Sequence, residues 1–350
     1  MKKLKNKKFN KFIVSILSIL TFNNDKKRRE LRNEIQNIYK NEKKAELKQL
    51  INSKYSNDYC FFSRYGLGDI FYFASLLKEF KKKNSGRIIY FTEKRGLIDF
   101  IKMFTSIDEV VYDQDLKFLH AEQTLQKSIT KGELNKIFFP YFGKKETYTF
   151  SDNYTNLLNL PLDTKREIPI PHENSYLKAQ EEFLNLGVNA EKTILIIPDA
   201  TMFNYKKLNS AFWTKLINKL QDEGYDIVFN TKLKEFKNYK NSFLPIVDFI
   251  AFAKQVKHII ALRSGICDLF AGMDITNMSF LYPQQMDCCW ADAPAFRELH
   301  SNHTKLFDNE FDNIFNIHSI NSNFRTNKFH EVIYNYDDEF VIKDILEHIR

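Results

Sequence analysis

The chain is poor in the residues that punctuate or staple a polypeptide, with 10 Gly, 8 Pro and 4 Cys in 350 residues. That scarcity excludes collagen-like and low-complexity disordered classes, which need Gly and Pro in bulk. Cys60, Cys267, Cys288 and Cys289 form no CxxC pair, and no histidine stands at zinc-finger spacing from them. Adjacent Cys288 and Cys289 would bridge only with strain. A disulfide framework and a zinc module are therefore not expected; reduced, mostly buried thiols are. Long hydrophobic runs are also missing. The apolar run near the start, Phe12–Phe22, falls well short of the roughly twenty residues that span a bilayer.

Charge is present, but unevenly. Residues 1–50 hold 15 Lys and Arg against 5 Asp and Glu, whereas the other 300 hold 37 against 39. The basic balance thus belongs to an appendage and the body is close to neutral, which argues against nucleic acid as a partner. Lysines flank the Phe12–Phe22 run on both sides, and no A-x-A-like cleavage site follows it. An in-plane anchor on an anionic membrane surface through residues 1–50 suits this pattern. A signal peptide, or simple packing of Ile13, Ile16, Leu17 and Leu20 on the body, are the alternatives.

From Tyr59 the pattern alternates between buried strands and amphipathic helices. Residues 58–63, 87–92, 109–113 and 136–142 read as strands, with helices over 71–83 and 96–104. A short helix, Asp152–Leu160, precedes a stretch containing Pro161, Pro169 and Pro171 that reads as a linker. The rhythm then restarts: strands at 193–200, 226–231, 258–262 and 277–283, helices at 176–187, 209–225, 248–256 and 266–273. This predicts an α/β protein in three parts. A basic helical extension covers 1–55, and two Rossmann-like doubly wound domains, 56–165 and 166–350, face a cleft.

Four loops carry candidate chemistry. Arg64, Gly66, Gly68 and Asp69 lie where the first strand opens into a helix; the glycines allow close backbone approach and the helix start favours an anion. Asp69 is either a helix-capping carboxylate or a general base at the lip of the cleft. Lys206 and Lys207 follow the strand ending at Pro198 and suit a diphosphate. Arg263, Ser264 and Gly265 form a strand–turn–helix cradle for phosphate, with Asp268 one turn in to cap the helix or bond a sugar hydroxyl. Tyr282, Gln284, Gln285 and Trp290 are candidates for a base or sugar pocket. His300 and His303 lack partners at ligand spacing, so no metal site is expected.

Taken together, these segments resemble the ADP-heptose:lipopolysaccharide heptosyltransferases of glycosyltransferase family nine. The resemblance rests on Gly68-Asp69 after the first strand and on the Y-x-x-L-L-x-L helix at Tyr154–Leu160. It rests further on the Lys-bearing loop after Ile197-Pro198, the turn Leu262–Gly265 with its helix, and a final Leu281-Tyr282-Pro283, covering roughly residues 58–285. It implies the GT-B fold, a donor held mainly by the C-terminal domain, and transfer without a metal or other cofactor. Carried over, Asp69 would be the base, Lys207 or Lys206 a donor-phosphate contact and Ser264-Gly265 the phosphate turn. The chain departs from the family at that turn: Arg263 stands in place of Asp, and Ile266-Cys267-Asp268 in place of Pro-x-His. The donor is left as an ADP-, GDP- or UDP-linked sugar.

The expected function is transfer of a sugar from a nucleotide-diphosphate donor to a glycan or glycolipid acceptor. The setting would be synthesis of bacterial lipopolysaccharide, lipooligosaccharide or capsule, on the cytoplasmic face of the plasma membrane. The competing readings are a nucleotide-sugar epimerase or pyruvyltransferase on the same scaffold, and a non-catalytic membrane-associated scaffold.

Overall fold

The computed structural model describes residues 25–63, 66–119, 129–137, 149–200, 210–283, 319–334 and 337–350. The described residues open with α1 (Asp25–Lys54), then β1 (Tyr59–Ser63), α2 (Leu67–Ala74), α3 (Leu77–Lys83), β2 (Ile88–Thr92), α4 (Ile98–Lys102), β3 (Glu109–Tyr112) and β4 (Leu134–Ile137). These strands form a parallel sheet in the order β3-β2-β1-β4. Strands β1 and β2 are buried almost throughout, as expected where helices cover both faces.

After α5 (Phe150–Leu157) and α6 (Glu173–Leu186) come β5 (Thr193–Ile197), α7 (Ser210–Asp222), β6 (Asp226–Phe229), β7 (Lys240–Asn241), α8 (Ile246–Ala253) and β8 (His258–Leu262). The chain ends with α9 (Gly265–Gly272), β9 (Met278–Pro283), α10 (Ile320–Phe324), β10 (His330–Tyr334) and α11 (Asp338–Ile349). The second sheet is parallel, in the order β10-β9-β8-β5-β6-β7. Counted from β5, this is the 3-2-1-4-5-6 order of a dinucleotide-binding sheet, whose ligand crevice lies where the order reverses, between β5 and β8.

Three sequence expectations are corrected. The helix expected over 71–83 breaks at Ser75 and Leu76, because linker groups take the carbonyls that would continue it. Glu167 donates its N–H to the Ser75 carbonyl (2.7 Å), and Arg166 donates to the Tyr72 carbonyl (2.9 Å). The basic extension is not wholly an appendage: Leu47, Ile51 and Tyr55 are buried against Cys60, Phe62, Ile89 and Phe91 and so cover one face of the first sheet. Strand β9 is not the last of the core, since β10 pairs beside it. Helix α11 then closes the second core with Val341, Ile342, Ile345, Leu346 and Ile349, a helical spacing. The Phe12–Phe22 run and most of the strand expected at 136–142 lie outside the described residues.

A return segment ties the end of the chain to the first unit. Asn323 accepts a hydrogen bond from the Ser151 N–H (2.8 Å), and Arg325 donates to Asp152 (2.6 Å), both at the start of α5. Phe324 packs on Phe71 and Tyr72 of α2.

At the N-terminal edge of the second sheet, His258 is buried and shares Ser279 with His330, each at 2.9 Å. His330 stacks on His348 at 4.1 Å. Burial, with His348, His330 and Lys257 nearby, holds His258 down to about 3. A histidine with a depressed folded-state value binds its proton more readily once unfolded. Stability is therefore lost as pH falls below about 6.5, at up to ~1.4 kcal/mol per pH unit. Urea unfolding at pH near 7.5 and near 5.5 checks this: His258→Gln flattens the difference, and an unchanged difference contradicts it.

Candidate functional site

Helices α2 and α9 leave the C-terminal ends of β1 and β8, and they pack on each other so that their N-termini meet. The approach is close enough to require glycine. A Cβ on Gly265 would lie 3.0 Å from the Gly68 backbone nitrogen, and one on Gly68 would lie 2.7 Å from Asp268 Oδ2. One on Gly272 would sit 1.9 Å from the Phe71 ring. Gly272→Ala is therefore expected to cost ~1–3 kcal/mol through overpacking. A thermal melt in which that variant matches the wild type would show that the contact yields.

The cleft surface at this junction is made by half-exposed Gly66, Leu67 and Asp69 on one side and Ser264, Gly265 and Ile266 on the other. The first turn of a helix has N–H groups without intrahelical partners and the positive end of the macrodipole, so two such ends side by side favour an anion. Ser264 occupies the N-cap position of α9 but makes no side-chain cap bond. Its hydroxyl stands 3.8 Å from Cys267 Sγ.

Asp69 takes the capping role, and its second oxygen is held from α5. Its Oδ2 accepts from the Gly66 N–H (3.2 Å), which caps α2, while its Oδ1 accepts from the Tyr154 hydroxyl (2.7 Å). Burial pushes its carboxyl up to about 6; the Tyr154 hydrogen bond opposes the rise and the Asp268 charge adds to it. A carboxylate so placed is ionised near neutrality yet basic enough to accept a proton.

Arg263, expected as a phosphate contact, and Asp268, expected to cap the helix or bond a sugar hydroxyl, face each other. The buried guanidinium of Arg263 donates to both Asp268 oxygens (2.8 and 2.6 Å), and Tyr72 donates to Asp268 Oδ1 (2.6 Å). Arg263, just before α9, and Asp268, within it, neutralise one another, because a lone buried charge is costly. Tyr282 likewise points inward and donates to Glu331. Lys206, Lys207, Arg64, Gln284, Gln285, Trp290, His300 and His303 lie outside the described residues. Among the described residues no group of three or more His, Cys, Asp or Glu is placed to hold a metal.

Sequence reading misses Tyr72, the Tyr154 hydroxyl and Lys94. Lys94 follows β2, and burial lowers it while Glu93 and Asp69 draw it back up. Its position at a strand's C-terminal end is the one sequence signal that marks it.

Among solved structures, the chain matches the Escherichia coli ADP-heptose LPS heptosyltransferase II with a TM-score of 0.54 at 10% identity. The match covers 83% of this chain and 98% of that one. A glycosyl transferase family 9 protein from Veillonella parvula matches with a TM-score of 0.50 at 12% identity, over 84% and 98%. The chain has the GT-B fold. No family model matches the sequence, and no curated relative matches it. At these identities the likeness speaks for the fold, and the activity must be argued from the junction of α2 and α9.

Proposed function

We propose that the chain is a glycosyltransferase that moves a sugar from a nucleotide-diphosphate donor to a hydroxyl of a glycan or glycolipid. The observation that carries this is the meeting of two helix N-termini beside a carboxylate held up to about 6. One helix end suits a diphosphate and the carboxylate suits a general base, and transfer of a sugar to an alcohol needs both.

The acceptor hydroxyl enters on the side of the first sheet and gives its proton to Asp69 as its oxygen attacks the anomeric carbon. The bond to the diphosphate oxygen breaks, and the leaving diphosphate keeps the electron pair. Ser264, Gly265 and the α9 N-terminus stabilise that charge electrostatically, with Lys206 and Lys207 as the cations proposed from the sequence. This division of labour needs no metal. The donor is an ADP-, GDP- or UDP-linked sugar; the heptosyltransferase named above supports an ADP-sugar and a lipopolysaccharide-type acceptor. Capsule and lipooligosaccharide are the related acceptor settings. The excess of basic residues in 1–50 supports a peripheral site on the anionic cytoplasmic face of the membrane.

The test is thermal shift with nucleoside diphosphates and nucleotide sugars in EDTA. A ligand at about 100 times its Kd adds ~2.7 kcal/mol of stability. A shift confined to one nucleotide base supports the donor site, and no shift with any of them removes it.

A further inference from the structure

Asp69 sits on one Rossmann-like unit, but the groups that surround it belong to both. Its Oδ1 is held by Tyr154 of α5 at 2.7 Å. The Tyr154 ring lies parallel to that of Tyr72, with centroids 6.3 Å apart and planes 14° apart. The Tyr72 hydroxyl in turn donates to Asp268 of α9 at 2.6 Å, and Asp268 is clamped from behind by Arg263. Tyr72, Tyr154, Arg263 and Asp268 are all buried, so each link is shielded from water.

We propose that Tyr154 and the Arg263–Asp268 pair are positioning residues for Asp69, so that the donor-side unit holds the base of the acceptor-side unit in working order. This rests on the reading of Asp69 as the base. Groups from each neighbouring element act on it. Tyr154 and the Gly66 N–H favour the ionised carboxylate, while burial and the negative Asp268 disfavour it. Tyr90 within β2 and Lys94 just after it also feel its charge. Asp268 lies directly against α2, where a Cβ on Gly68 would come within 2.7 Å of its Oδ2.

The consequence is that two conservative substitutions move the titration of Asp69 in opposite directions. Tyr154→Phe keeps the stacked ring but removes a hydrogen bond to the ionised form, so the midpoint rises by about one pH unit. Asp268→Asn removes a negative neighbour and leaves Arg263 facing the junction, so the midpoint falls.

The experiment is carbon-13 NMR of the full chain labelled at aspartate carboxyls, with the Asp69 signal identified by its loss in Asp69→Asn. It is read without substrate, so a failed transferase assay and a failed positioning role stay distinct. A rise in Tyr154→Phe together with a fall in Asp268→Asn supports the proposal. An unmoved or lowered midpoint in Tyr154→Phe, or an unmoved or raised one in Asp268→Asn, overturns it. Should Asp268→Asn not fold, the Tyr154→Phe midpoint decides alone: a rise supports the proposal, and an unmoved or lowered midpoint overturns it.

Discussion

Asp69→Asn is expected to lose roughly 10²–10⁴-fold in turnover while becoming more stable above pH 6. The first effect follows from removing the carboxylate that, on the proposed reading, takes the acceptor's proton, and that is partly exposed at the junction. The second follows from linkage. The folded state holds the Asp69 carboxyl up to about 6, above its unfolded value of 3.8, so the folded chain binds the extra proton between those values. Stability from this group is complete below about 3.8 and is lost as pH rises through about 6. At neutral pH the ionised Asp69 is therefore a strain that asparagine does not carry. With solvent screening at a half-exposed side chain, the relief is ~1–2 kcal/mol. Melting curves at about pH 4 and pH 8 check it: the variant gains only at the higher pH. A loss of turnover accompanied by lower stability at both values would mean that Asp69 holds the fold rather than the proton.

Arg263→Ala is expected to act chiefly on stability, at ~3–5 kcal/mol, because it strands the buried Asp268 carboxylate. The bidentate geometry leaves the guanidinium committed to Asp268, so loss of nucleotide affinity should follow destabilisation and not precede it. Chemical unfolding separates the cases. The double replacement Arg263→Met with Asp268→Leu, which removes both charges, should recover most of the loss, and the cycle gives the coupling energy directly. A stable Arg263→Ala variant that fails to bind nucleotide would instead restore the direct phosphate contact read from the sequence.

Much of the architecture was legible because it is local. Strands such as Ile88–Thr92 and His258–Leu262 are short unbroken apolar runs, and the helices between them carry apolar residues at helical spacing. The Gly66–Asp69 and Ser264–Gly265 turns stood out for the same reason: small residues between a strand and a helix have few other uses. What was not legible is pairwise and remote. Nothing near Tyr72 announces Asp268, 196 positions along, and nothing near Ser151 announces Asn323. Arg263 beside a phosphate-type turn suggests a ligand contact until the carboxylate five residues on is seen to claim it. The α11 helix was a missed signal, since Val341, Ile342, Ile345, Leu346 and Ile349 show its buried face in the sequence.

The central claim, sugar transfer at the junction of α2 and α9, is tested most directly by release of nucleoside diphosphate from a nucleotide sugar. The assay is run in EDTA, with and without a lipopolysaccharide-type acceptor. The account predicts release that requires the acceptor, forms a new glycosidic bond and disappears in Asp69→Asn. Conversion of the donor sugar without any acceptor, or acceptor-dependent release that survives in Asp69→Asn, would contradict it.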